Sequence, residues 1–193
     1  GGVLSFILLI VISFYLSVQE HGIENFLSII TPLEHEKYIL DLWKRSQRKI
    51  GRWLQGQFLL GVLVGVMVFL GLTILDVKYA LLLAALSMIF EVIPVFGPIM
   101  AAIPAIAVAF IQKPALGLMV LGLYVLVQQF ENHLIYPLVV RKTVGVPPLL
   151  VVLSLIIGGS LGGFYGIVLA VPVAAVLVEF LNDVYAKRHR ARQ

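Results

Sequence analysis

Gln128-Gln129-Phe130-Glu131-Asn132-His133 sets five polar side chains, one of them a carboxylate, inside an apolar run that begins near Ala115 and continues past Ile135. A charge at the centre of a membrane helix costs about 2.5–3.5 kcal/mol on insertion scales. Such groups face a protein interior or a water-filled path and mark function. The stretch reads as a polar site at depth in a membrane protein.

The composition around it agrees. Hydrophobic residues make up 61% of the chain and charged residues 12%, about half the share usual in soluble proteins. Mean hydropathy is +1.05. A soluble fold of 193 residues could not hide this much apolar surface, so the class is integral membrane. The net charge of +4 is clustered. Six Lys/Arg lie between Lys37 and Arg52, Arg141-Lys142 forms a second cluster, and the tail Lys187-Arg188-His189-Arg190-Ala191-Arg192 adds four more. The positive-inside rule puts all three on the cytoplasmic side. Beside membrane helices such patches meet lipid headgroups, so no nucleic-acid partner is expected. There is no cysteine, which removes disulfides and thiolate metal sites.

Four segments follow. Residues 1–19 read as a transmembrane helix: Val3–Val18 is apolar and lacks the basic start and cleavage site of a signal peptide. The opening Gly1-Gly2 without Met fits a fragment of a longer protein. Residues 20–55 form an amphipathic segment. In Thr31-Pro32-Leu33-Glu34, Thr31 is the expected N-cap, Pro32 the first helical residue and Glu34 the partner in a capping box. Beyond it Ile39, Leu42, Trp43, Ile50, Trp53 and Leu54 share one face and the basic residues mostly the other. This helix suits the membrane interface, or packing on the protein's own cytoplasmic face. Residues 56–184 are the transport core, and 185–193 the basic cytoplasmic tail.

Inside the core, Phe58–Leu75 is a span in which Gly61 and Gly65 allow close helix packing, and Asp76-Val77-Lys78 is a turn. Tyr79–Ile111 is too long for one span. Glu91, Pro94, Gly97, Pro98 and Pro104 fall in its middle, where proline removes backbone donors and predicts a broken hairpin. Ala115–Ile135 is the span with the polar patch, ended or kinked by Pro137. A second broken unit runs from Pro147-Pro148 through Gly158-Gly159-Ser160-Leu161-Gly162-Gly163 to Leu181, with Pro172 in its descending arm. The predicted fold is all-α: a polytopic membrane protein with two Gly/Pro-broken hairpins and an amphipathic interfacial helix. Paired broken segments point to a secondary transporter's site. Re-entrant and fully spanning hairpins both fit.

On a helix Tyr124, Gln128 and Glu131 fall at i, i+4 and i+7, with Gln129, Asn132 and His133 close beside them. The amides donate and accept, and the carboxyl accepts or, protonated, donates. The set suits a small polar or hydroxylated solute and also proton or cation coupling. The competing reading is that it only cements helices or subunits. Glu91 either caps backbone freed at the break or lines the path. Gly158-Gly159-Ser160-Leu161-Gly162 matches G-x-S-x-G, and with His133 it raises an intramembrane serine hydrolase. That nucleophile needs a strand–turn–helix setting, however, and four glycines in six residues fit a hairpin tip better. No enzyme activity, cofactor or metal is expected.

Glu91-Val92-Ile93-Pro94-Val95-Phe96-Gly97-Pro98, the stretch Gln128 to Pro137, and Gly159-x3-Gly163-x2-Gly166 with Ala170-Val171-Pro172 together resemble the AI-2E transporter family, in both order and spacing. The likeness runs from Ser13 to about Asp183. One departure is Val146-Pro147-Pro148, where the family often has His before a single Pro. The resemblance implies a multi-pass bacterial inner-membrane transporter without ATPase parts, in which members are associated with export of the quorum-sensing signal autoinducer-2 and some with sodium/proton antiport. It also implies a homo-oligomer with shifting hairpins, and members longer than this chain. On this reading Glu131 and Glu91 couple a proton or cation, while Gln128, Gln129, Asn132 and Tyr124 line the path. Pro94, Gly97, Pro98, Gly159, Gly163, Gly166 and Pro172 mark the hairpin breaks.

Overall fold

The computed structural model describes residues 2–18, 22–135 and 148–190. The readings of Gln19-Glu20-His21, Pro137, Arg141-Lys142, Val146-Pro147 and Arg192 lie outside them. Among the described residues there is no strand. Three helices are long and apolar enough to cross a membrane: Leu33–Ile74, Pro114–Ile135 and Leu149–Tyr185. The protein is an all-α, multi-pass membrane fold, as its composition requires.

The chain divides into two compact units, Gly1–Gln47 and Arg48–Gln193. The first holds α1 (Gly2–Val18), α2 (Gly22–Ile30) and the start of α3 (Leu33–Ile74). Lys44 pairs with Glu24 across α2 and α3 at 3.6 Å, and Arg45 with Asp41 one turn away at 2.9 Å. The Pro32 carbonyl accepts the N–H groups of His35 and Glu36 at 2.9 and 3.1 Å. The helix therefore starts one residue after the expected position, with Pro32 ahead of its first turn. The sequence divides at 55/56 into an amphipathic segment and a span, but α3 runs through that point without a break for 42 residues.

In the second unit, α3 presents Trp53, Gln57, Leu60, Val64, Val68 and Leu72 as a buried stripe at the 3.6-residue period of a packed helix face. A turn containing Asp76 and Tyr79, both at positive φ, leads into α4 (Ala80–Phe90). This helix returns antiparallel along α3. A Cβ on Gly65 would stand 3.1 Å from that of Met88, and one on Gly61 2.8 Å from the Met88 carbonyl oxygen. The chain breaks over Glu91–Val95 and resumes as α5 (Phe96–Gln112). Ala101, Ala105 and Ala109 on α5 are all fully buried, the small-residue spacing that lets membrane helices approach. After Lys113, α6 (Pro114–Phe130) ends in a π-helical turn, Glu131–Ile135.

The last element, α7 (Pro148–Arg190), is two arms merged across a kink at Gly163, φ 56 and ψ −134, a region reserved in practice for glycine. Along a straight helix Gly158 and Gly166 would be about 12 Å apart. Instead each one's Cβ position falls on the other's carbonyl, and a Cβ on Gly159 would stand 3.2 Å from the Ile167 side chain. The chain folds back on itself, and only glycine fits where the arms cross. Neither α4, about 16 Å long, nor the first arm of α7, about 22 Å, reaches across a 30 Å hydrocarbon core. At about 26 Å, α5 also falls short, so both arms of the first broken unit and one arm of the second are shorter than the core. Lys49 of α3 pairs with Glu179 of the second arm.

The breaks are narrower than the proline content suggests. Pro94 lies in the first break. Gly97 and Pro98 lie in the first turn of α5, where proline's missing N–H has no helical partner to lose. Pro104 and Pro172 sit inside α5 and α7, which continue past them; neighbouring helices and local adjustment make this tolerable in membrane helices. Of the second set, only Gly163 makes the turn, with Gly159 and Gly166 in the flanking arms.

Candidate functional site

Glu91 is the first residue beyond α4, and its N–H closes the last turn on the Ser87 carbonyl at 3.1 Å. Its own carbonyl, freed where the helix stops, accepts from the side-chain amide of Gln57 on α3. This bond fixes the broken backbone against a continuous helix. The Glu91 side chain is 1% exposed, and its Oε2 has no hydrogen-bond partner. It lies near Glu131 of the π-turn, itself 6% exposed, close enough for the two carboxyl groups to interact electrostatically. The Gln128 amide donates to Glu131 Oε2 at 3.0 Å and lies 3.5 Å from Asn132 Oδ1.

These groups surround a cavity of about 420 Å3. Gln57, Glu91, Gln128, Glu131 and Asn132 form its polar wall. Pro94 and Val95 from the first break, Ile99 from α5, Leu60 from α3, and Val151 and Val152 from α7 form the apolar remainder. The volume lies within the range of small-ligand pockets, about 300–1,000 Å3. Val95 holds φ 71 and ψ −49, a genuine outlier for a β-branched residue. The π-turn matters too: one-turn π segments inside helices recur at functional sites, and here Glu131 opens the turn facing the cavity.

Chemically the site presents oxygen donors and a paired acid in apolar surroundings. One proton held between the carboxyls makes a hydrogen bond; without it their charges repel unless a cation lies between them. Carboxylate and amide oxygens are ligands for hard cations, and the amides can also bind hydroxyl groups. Among the described residues no cluster of three His, Asp or Glu side chains suits a metal ion.

Residues 1–186 match the family described as AI-2E family transporter. The chain belongs to the AI-2E transporter family. It is 35% identical over 188 residues to YueF of Bacillus subtilis (strain 168), provisionally named a transport protein; the match covers 95% of this chain and 51% of YueF. A Haemophilus influenzae protein with the same kind of name is 31% identical, covering 92% of this chain and 52% of the relative. PerM of Escherichia coli (strain K12), provisionally named a permease, is 27% identical over 73% of this chain and 40% of its own. The chain spans about half the length, or less, of these relatives.

In this AI-2E chain the structure gathers Glu91, Gln128, Glu131, Asn132 and Pro94 at one cavity. It places the other candidates elsewhere. The side chain of Gln129 is exposed and outside the lining, and the Gln129 carbonyl lies 3.0 Å from His133 Nδ1. Tyr124 is buried behind the cavity with its hydroxyl 2.9 Å from Ser87 Oγ. Ser87 Oγ donates to the Leu83 carbonyl at 3.0 Å, so Tyr124 is the donor between them. Tyr124→Phe is expected to cost about 0.5–1.5 kcal/mol and to leave transport intact; thermal unfolding and vesicle flux check the two halves. Gly159, Gly163 and Gly166 are also outside the lining. The second hairpin reaches the cavity through Val151 and Val152, about 18 Å along its arm from Gly163. Ser160 Oγ donates to the Ile157 carbonyl at 2.9 Å. No hydrogen bond joins Ser160 to His133 among the described residues, and the family is one of transporters.

Two features went unseen in the sequence. Gln57 closes the amphipathic stretch and opens the span, so it reads as a flank. Its signal is its place one turn before Gly61 on the buried face of α3. The other is depth: Glu131 stands about 25 Å along the helix from Pro114, near the far end of the span and not at its centre.

Proposed function

We propose that this chain forms the transport core of a secondary transporter of the AI-2E type, moving a small polar molecule such as autoinducer-2 through the cavity lined by Glu91 and Glu131. The observation that carries the reading is the buried acid pair. Glu91 has an unpartnered Oε2, and together with Glu131 it lines a cavity large enough for a solute. A buried unpaired acceptor costs about 1–3 kcal/mol, a burden that a binding site explains. Gln128 and Asn132 offer donors and acceptors for hydroxyl groups, and the carboxyl pair offers proton coupling. Family membership supports transport as the class of activity.

The same pair favours a second reading, sodium/proton exchange, in which cation and proton alternate between the two carboxyls. On either reading the protein belongs in a bacterial plasma membrane, as a homo-oligomer with the basic Lys37–Arg52 stretch and the C-terminus in the cytoplasm. Neither reading calls for an enzyme activity, a cofactor or a nucleic-acid partner. Reconstituted vesicles test both. Uptake of autoinducer-2 is measured against uptake of sodium, with and without a pH gradient. Autoinducer-2 movement above protein-free vesicles is the expected result. Sodium movement alone selects the exchanger, and no movement of either solute removes both readings.

A further inference from the structure

A second cavity, of about 390 Å3, shares Gln57 with the first. Leu54, Gln55 and Phe58 from α3, Met88 from α4 and Val92 from the first break line it, and its surface is mostly apolar. Gln57 is the one residue that lines both spaces among those described. The seam between α3 and α4 explains why the space is there. Toward Gly65 the two helices touch closely enough that a Cβ on Gly61 would stand 2.8 Å from the Met88 carbonyl oxygen. Toward Leu54 the space is walled on the α3 side by Leu54, Gln55 and Phe58. Leu54 and Phe58 are 52% and 64% exposed, so the groove opens to the apolar surroundings of the protein.

Gln57 itself is 2% exposed and is held by its amide bond to the Glu91 carbonyl. Glu91 has no other helical partner for that carbonyl, because α4 stops there. The side chain that fixes the break therefore also borders both the acidic cavity and the apolar groove. We propose that Gln57 is a side gate: when its amide leaves the Glu91 carbonyl, the two spaces join and the carboxyl pair opens laterally toward the bilayer. This deepens the transport reading and rests on it. The passengers it selects are molecules already dissolved in the membrane, with a hydroxyl or cationic end for Glu91 and Glu131 and an apolar part that lies along Phe58, Met88 and Val92.

Carbodiimides test the gate. They add a protonated carboxyl across a C=N bond, and the adduct marks the residue for peptide mass analysis. The full chain in vesicles is treated with dicyclohexylcarbodiimide, which dissolves in the bilayer, and in parallel with a water-soluble carbodiimide. Gln57→Ala is expected to raise Glu91 modification by the apolar reagent at least tenfold and to leave modification by the soluble one within twofold. Adding Val92→Trp, which fills the groove, should return the rate to that of the wild type. General loosening of the fold would accelerate both reagents alike, and that result overturns the proposal, as does an unchanged rate in Gln57→Ala. If Gln57→Ala does not fold, Val92→Trp alone carries the test: it must slow the apolar reagent severalfold and not the soluble one, and equal rates overturn the gate. The labelling needs no flux, so a silent transport assay with the expected labelling refutes the transport reading alone.

Discussion

Glutamine in place of Glu131 is expected to leave a folded protein whose flux falls at least tenfold and no longer responds to a pH gradient. The substitution keeps shape and hydrogen bonding, since the new amide can still meet Gln128, which lies 3.0 Å from the native carboxyl. What it removes is the ability to ionise. Glu91 then faces a neutral amide, so the charge repulsion between the two groups disappears, and the thermal midpoint should stay level or rise. Glu91→Gln should behave in the same way, because the two carboxyls act as one acid pair. The readouts are vesicle flux across a pH series and the unfolding temperature in detergent. Wild-type flux with an intact pH response in Glu131→Gln would exclude coupling at this pair. A variant that fails to assemble would instead assign the patch to holding helices together.

The second large effect is on stability. In Gly166→Val the new side chain starts where the Gly158 carbonyl already stands, so the arms of α7 must separate. Overpacking of a rigid contact costs about 1–3 kcal/mol and sometimes more; valine, with two γ-methyls at a backbone crossing, should fall at or beyond the upper end. Gly162→Ala is the control, since a Cβ there meets nothing within 4 Å. Thermal unfolding of the two variants beside the wild type measures the difference. A wild-type midpoint in Gly166→Val would mean that the arms do not cross at these glycines.

Which features could be read from sequence depends on whether their cause is local. Helical spacing alone placed Tyr124, Gln128 and Glu131 on one face, and Glu91-Val92-Ile93-Pro94 showed a helix ending. The extent of the break was not legible from a proline count. Pro98 occupies a first turn, and Pro104 and Pro172 are accommodated within their helices, so position within the helix decides what a proline does. Gln129 and Gln128 are adjacent and chemically identical. Only the packing of α6 and the π-turn decides that one faces the cavity and the other faces away. The meeting of Glu91 with Glu131, forty residues on, and of both with Gln57, is tertiary. It follows from α3 running antiparallel to both α4 and α6, and no short motif encodes it. Composition, being global, gave the membrane class outright.

Val95 adds something to how this corner behaves. A valine backbone at φ 71 sits uphill by about 1–3 kcal/mol, and it persists because the packing around the break holds it there. That energy is not lost. Any rearrangement that lets the residue relax to an ordinary backbone angle recovers it, enough to shift a balance between two shapes by roughly five- to a hundredfold, at tenfold per 1.4 kcal/mol. The resting corner is in this sense a wound spring beside the cavity, with strain stored in one residue of its wall.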